Sequence, residues 1–112
     1  MANTFKLVNN AVMSTTANQT DALYTVPSST TTIILGLTLC NVHTAQVSAT
    51  VEIVDSSASI TSTVIKDAPI PVGGSLEIMS GNKIVVETTD VVKVSSSIAD
   101  KISATMSIME IT

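Results

Sequence analysis

Cys40 and His43 stand three residues apart in LCNVHTA, a thiol and an imidazole that a suitable scaffold turns into a nucleophile and its base, or into half a metal site. The chain has one cysteine and one histidine, so no second residue of either kind completes the arrangement. Positions three apart on a strand also point to opposite faces. Cys40 is therefore expected as a small, buried or half-buried side chain and His43 as a loop residue. A lone cysteine also makes an internal disulfide impossible.

Pro71-Val72-Gly73-Gly74-Ser75 is a second place to look, because glycines let backbone N–H groups approach a phosphate. A phosphate loop needs a strand before it, a helix after it and usually a lysine within it. Here a strand pattern follows and there is no lysine between Pro71 and Ser75, so a turn is expected. Asp21, Asp55, Asp67, Asp90 and Asp100 all fall at turns, where carboxylates bond the local backbone, and they lack calcium-loop spacing. Glu52, Glu77, Glu87 and Glu110 fall on strand patterns and are expected on solvent faces. A glycan site would need an exposed ring, and Tyr24 and Phe5 are the only ones. No catalytic residue, cofactor site or metal ligand is expected.

The elements around these residues are strands. There are 14 Val, 12 Ile and 17 Thr against one Phe, one Tyr and no Trp, a composition of stiff side chains suited to pleated sheets. The run from Ile33 to Cys40 alternates, and the face with Ile33, Leu35, Leu37 and Leu39 is expected to be core. Val47, Ala49, Val51 and Ile53 repeat the pattern, suggesting an antiparallel partner joined through the loop at His43. ITSTVI at 60–65 is weakly amphipathic and reads as an edge strand. Pro69 and Pro71 keep the following stretch extended, Gly73-Gly74 bends it into LEIM, and Gly81-Asn82 signals a hairpin. Ile102, Ala104, Met106 and Ile108 share the face of a last strand. Turns recur about every ten residues, which predicts one all-β domain, an antiparallel β-sandwich of jelly-roll or Ig-like type with about seven to nine short strands. Residues 22–112 would form it, with 1–21 as an N-terminal arm in which residues 1–13 could form a short first strand and 13–21 a loop.

Charge narrows the partners. The net charge is -4, arginine is absent and the five lysines are scattered, so the basic footprint of a nucleic-acid binder or an anionic-membrane binder is missing. The start of the chain lacks the apolar region of a signal peptide, and no apolar run reaches the length of a membrane span, which predicts synthesis in the cytoplasm. At 45% hydrophobic and 12% charged residues, the chain has apolar surface to spare for a neighbour.

YTVPSSTTTIILGLTLCNV, then IKDAPIPVGGSLEI, KIVVETTDVVKVSSS and a closing ATMSIMEIT, resembles small virion proteins of tailed bacteriophages, particularly those of marine and cyanobacterial phages. The likeness spans about residues 22 to 112. It implies a non-enzymatic structural subunit of the virion, without catalytic residues or cofactors, made in the host cytoplasm. Its expected partners are copies of itself, as a trimer, and other virion proteins such as the major capsid protein. A capsid decoration or cement role is expected, with a neck, tail or baseplate component as the alternative and a surface carbohydrate-binding module as one of another class. The segments expected to meet a neighbour are Phe5 and Leu7 of the arm, and Pro69, Ile70, Pro71 and Val72.

Overall fold

A computed structural model describes residues 2–79 and 81–112. The strands, in chain order, are β1 (Asn3–Met13), β2 (Asp21–Thr25), β3 (Thr31–Asn41), β4 (Val47–Asp55), β5 (Ile60–Ile70), β6 (Ser75–Glu77), β7 (Ile84–Val86), β8 (Val91–Ser96) and β9 (Ile102–Ile111). They form two antiparallel sheets. The first is ordered β1-β9-β3-β6, with β7 also on β3; the second is β2-β8-β4-β5. With β6 and β7 counted as one interrupted strand, this is the eight-strand order of a jelly roll. The all-β sandwich read from the sequence is the observed fold, in its jelly-roll form.

The core is aliphatic. Ile34, Leu37, Leu39, Ile102, Ala104, Met106 and Ile108 of the first sheet are buried, as are Val47, Ala49, Val51, Val92 and Val94 of the second. Alternation is strict on β9 and places these side chains inward as their pattern predicts; on β4 it holds for Val47, Ala49 and Val51, but Thr50 is buried as well and Ile53, expected with them, is only half-buried. On β3 the pattern breaks. Its pairing with β9 shifts between Ile34 and Gly36, so Thr32 and Ile34 face inward before the shift and Leu37 and Leu39 after it. A single added residue reverses the facing of everything beyond it. Ile33 and Leu35, expected in the core, lie on the other face, half-buried.

Two expected pairings are replaced. β3 and β4 are not partners: β3 lies in the first sheet, β4 bonds β5 and β8 in the second, and the loop through His43 crosses between sheets. Asn41 fixes that crossing. Its Nδ2 donates to the carbonyls of Ala45 (3.0 Å), Ile70 (2.9 Å) and Pro71 (3.2 Å), and its Oδ1 accepts from the His43 backbone N–H at 2.7 Å. Likewise β6 and β7 make no hairpin. Both run antiparallel to β3, β6 along Thr38–Cys40 and β7 along Thr32–Ile34, so the turn at Gly81-Asn82 only displaces the chain between them. Asn82 N–H donates to Met79 O at 2.8 Å there, and Gly81 has φ 84°.

Edge assignments are better served by the sequence. β5 borders the second sheet as expected, and it continues through Pro69, opposite Ser48. Proline is tolerated there because an edge strand has one side without a ladder. Pro71 to Gly74 then turns the chain toward the first sheet: Gly74 N–H donates to Pro71 O at 2.9 Å and Gly73 has φ 71°, a conformation that favours glycine. The segment expected as an arm contributes the eleven residues of β1, paired with β9 from Asn3 opposite Ile111 to Met13 opposite Ile102.

Asn41 is 3% exposed, so removing its amide leaves buried carbonyls without donors. Asn41→Ala is expected to lower stability by about 2–3 kcal/mol in urea unfolding, with the native sheet signal retained before the transition.

Candidate functional site

The sequence candidates for chemistry do not converge. Cys40 is half-buried on β3, paired with Ser75 and Ser103, while the adjacent Asn41 points inward and His43 sits at the bend. The Pro71–Ser75 stretch spends the Gly74 N–H on its own turn and leads into β6. Asp55 bonds its own turn through Ser57 Oγ, and Asp90 accepts from Glu87 N–H at 2.9 Å and Ser56 N–H at 3.1 Å. Among the described residues there is no pocket and no cluster of three or more His, Cys, Asp or Glu placed to hold a metal.

A polar cluster that the sequence did not single out sits between the sheets. Glu110 continues the inward-facing series of Ile102 to Ile108 and is buried, against the expectation of a solvent face. Its Oε2 accepts from the Tyr24 hydroxyl at 2.5 Å, and its Oε1 pairs with Lys6 Nζ at 2.8 Å. Tyr24 Oη also bonds Thr32 Oγ1 at 2.8 Å. The Glu110 carboxylate on β9 thus ties β1 and β2 directly, and β3 through the Tyr24 hydroxyl. The bonds from Lys6 and Tyr24 hold the Glu110 carboxyl below its ordinary range, overcoming the opposite effect of burial. Burial, followed by the bond to Glu110, pushes the Tyr24 hydroxyl up to about 12. The parity of Glu110 with Ile108 was the available signal. Because its hydroxyl is taken and its ring is half-buried, Tyr24 is not the exposed platform that glycan stacking needs.

Glu77 performs a smaller version of the same work where β6 ends. Thr38 Oγ1 donates to it at 2.7 Å, and the backbone N–H groups of Met79 and Leu37 donate at 3.2 and 3.3 Å. The Thr38 bond leads these in lowering the carboxyl below its ordinary range.

What the surface presents is apolar. Register aligns Phe5 with Met109, Met109 with Ile33, and Ile33 with Val85, a row across four strands. Neighbours in register share a face, and since Ile34 and Ile108 point inward this row points outward. Phe5 is 72% and Val85 61% exposed, and Leu7 on the same face is 63% exposed. The two contact residues expected in the arm, Phe5 and Leu7, therefore belong to this outer face. In the proline segment Pro69, Pro71 and Val72 are exposed, but Ile70 is 1% exposed and packs in the subunit's own core. Sequence reasoning missed Met109, Ile33 and Val85, because only long-range register brings them into line.

No protein-family model matches the chain, and no curated protein matches it. Among solved structures, it is similar to a chain of the Bacillus endospore appendages, disulfide-linked pili, with TM-score 0.57 and 13% identity over 99% of this chain and 87% of that one. It is also similar to a chain of the acid-stable capsid of Helicobacter pylori bacteriophage KHP30, with TM-score 0.54 and 12% identity over 98% and 87%. A chain of the IBDV viral particle gives TM-score 0.55 and 9% identity, over 96% of this chain and 30% of that one. At these identities the likeness is one of fold.

Replacing Glu110 by Gln is expected to cost about 1–2 kcal/mol near neutral pH. The folded carboxyl lies below its unfolded value, so its contribution is full above about 4.5 and fades as pH falls through the folded value. Urea unfolding of the two proteins should therefore converge in acid. Tyr24 is raised, so its contribution holds below pH 10 and is lost as pH climbs toward 12. Tyrosinate absorbance of this single tyrosine should rise near pH 12 in the folded protein and near 10 in urea.

Proposed function

We propose that this protein is a non-enzymatic structural subunit of a bacteriophage virion, acting as a capsid decoration or cement protein that binds the outer shell as an oligomer and stabilises it. The observation that carries the reading is the outward apolar row Phe5–Met109–Ile33–Val85 on a chain of low charge. Covering one such large side chain contributes roughly 2 kcal/mol, so the row favours a protein neighbour over water. The jelly roll, found also in a chain of a bacteriophage capsid, and the sequence resemblance to small virion proteins of tailed phages both support it. The partners proposed are copies of itself, as a trimer, and the major capsid protein, with the virion as its location. A neck, tail or baseplate position uses the same surface, and a fold shared with a pilus chain suits a stack of copies there.

The test is incorporation. Val85→Asp places a charge on the row at an exposed position, so thermal unfolding should shift by no more than a few degrees. In virions assembled with this variant, its copy number by mass spectrometry should fall at least tenfold below wild type, and imaging of wild-type particles should place the subunit on the shell. Wild-type protein missing from purified particles would overturn the proposal.

A further inference from the structure

Four edges bound the two sheets, and among the described residues three of them carry features that discourage pairing. β2 is five residues long with a register shift between Ala22 and Tyr24. β6 and β7 are three residues each. β5 is long, but it carries Lys66, Asp67 at φ 47°, Pro69 and two irregularities opposite Ala49 to Glu52. β1 is different. It pairs with β9 without interruption from Asn3 to Asn10, contains no proline, and is exposed along that stretch except at Val8. Its one charge, Lys6, is drawn inward by Glu110. The outer side of β1 is therefore a straight, unblunted row of backbone donors and acceptors, and the chemistry that satisfies such a row is another extended strand.

We infer that β1 pairs antiparallel with β1 of a second copy of this chain, about a two-fold axis at Leu7. Charge leaves this edge open to a copy of the same chain. Each subunit carries -4, yet residues 2–13 hold no carboxylate, so two copies that repel elsewhere approach here with the least opposition. Register follows from the faces. A two-fold axis perpendicular to the sheet keeps outer residues opposite outer residues, so the axis must pass at a residue rather than between two. Within the regular stretch Asn3 to Asn10, only axes at Lys6 or Leu7 allow seven residues to pair. At Lys6 two ammonium groups would lie side by side, which is unfavourable. At Leu7 the pairs become Leu7 with Leu7, Phe5 with Asn9, Lys6 with Val8 and Thr4 with Asn10.

Pairing through β1 deepens the proposed assembling role, on which it rests for its setting. A ladder of this length spans about 24 Å, short of a standard interface, so the pair is weak and concentration-dependent. An isologous contact closes at two copies, so it joins trimers to one another and does not build them.

Cross-linking in purified protein tests this. In a Cys40→Ser background, Leu7→Cys is expected to form a disulfide-linked dimer under mild oxidation at least tenfold faster than Val85→Cys, which is as exposed but lies at the opposite edge. Phe5→Cys alone should be slow, and Phe5→Cys with Asn9→Cys fast. Equal rates for Leu7→Cys and Val85→Cys, or Phe5→Cys faster than Leu7→Cys, overturn the pairing. Circular dichroism of each variant confirms that it is folded before rates are compared. A Leu7→Cys dimer from a protein absent from virions sinks the virion role and keeps the pairing; a virion protein without that dimer does the reverse.

Discussion

The strand β9 is bonded on both sides, to β1 along one flank and to β3 along the other, while every second side chain from Ile102 to Glu110 turns into the sandwich. Because strand side chains alternate with a period of two, this one register determines what both neighbours present to either face. It puts Ile108 and Met106 against the second sheet, brings Glu110 to Tyr24 and Lys6, and sends Met109 outward between Phe5 and Ile33. The interior, the polar cluster and the apolar outer row are three readings of the same alternation. A slip of one residue would bury Met109 and expose Glu110, losing all three together.

The fully buried core is built of Val, Ile, Leu, Ala and Met, and the one aromatic ring packed against it, Tyr24, is only partly buried. The sheets are locked together at the rims by polar side chains with several partners each. Asn41 gathers carbonyls where β3 gives way to the crossing loop, Asp90 ties the turn before β8 to the one after β4, and Glu110 joins β1 and β2 directly and β3 through Tyr24. Every described buried side-chain nitrogen or oxygen has a partner, so these fixings carry no desolvation left uncompensated. Directional bonds at the ends and undirected packing in the middle together give a unique arrangement from side chains that alone would slide.

Alternation on β4 and β9, the turn rhythm and the weak amphipathicity of β5 were legible because they are local, and they were enough for an all-β sandwich. What escaped was non-local. Period two says that Leu37 and Val47 face inward but not that they belong to different sheets, which only the crossing at Asn41 determines. The shift between Ile34 and Gly36 has one mark in the string TIILGLTL, the isolated Gly36, but which side chains it turns inward is set only relative to β9. Gly81-Asn82 has the right residues for a hairpin, but β3 had room along its flank for both β6 and β7, and tertiary pairing outweighed the turn signal. Glu110 was legible by parity and misplaced by its charge, because the partners that offset its burial, Lys6 and Tyr24, stand on two other strands. The outer row was invisible for the same reason, although Phe5 and Leu7, its members on β1, stand out in the sequence.

The pairing of β1 with β9 also sets an order of events during folding. Residues near the start of the chain find their ladder partners roughly 100 positions later, a closure among the slowest kinds of contact. On a ribosome, β1 emerges before the other described strands and stays without its neighbour until β9 has been made. The second sheet closes over shorter separations, so it has the opportunity to form while the first is incomplete. β1 is thus the last strand able to dock in its own chain.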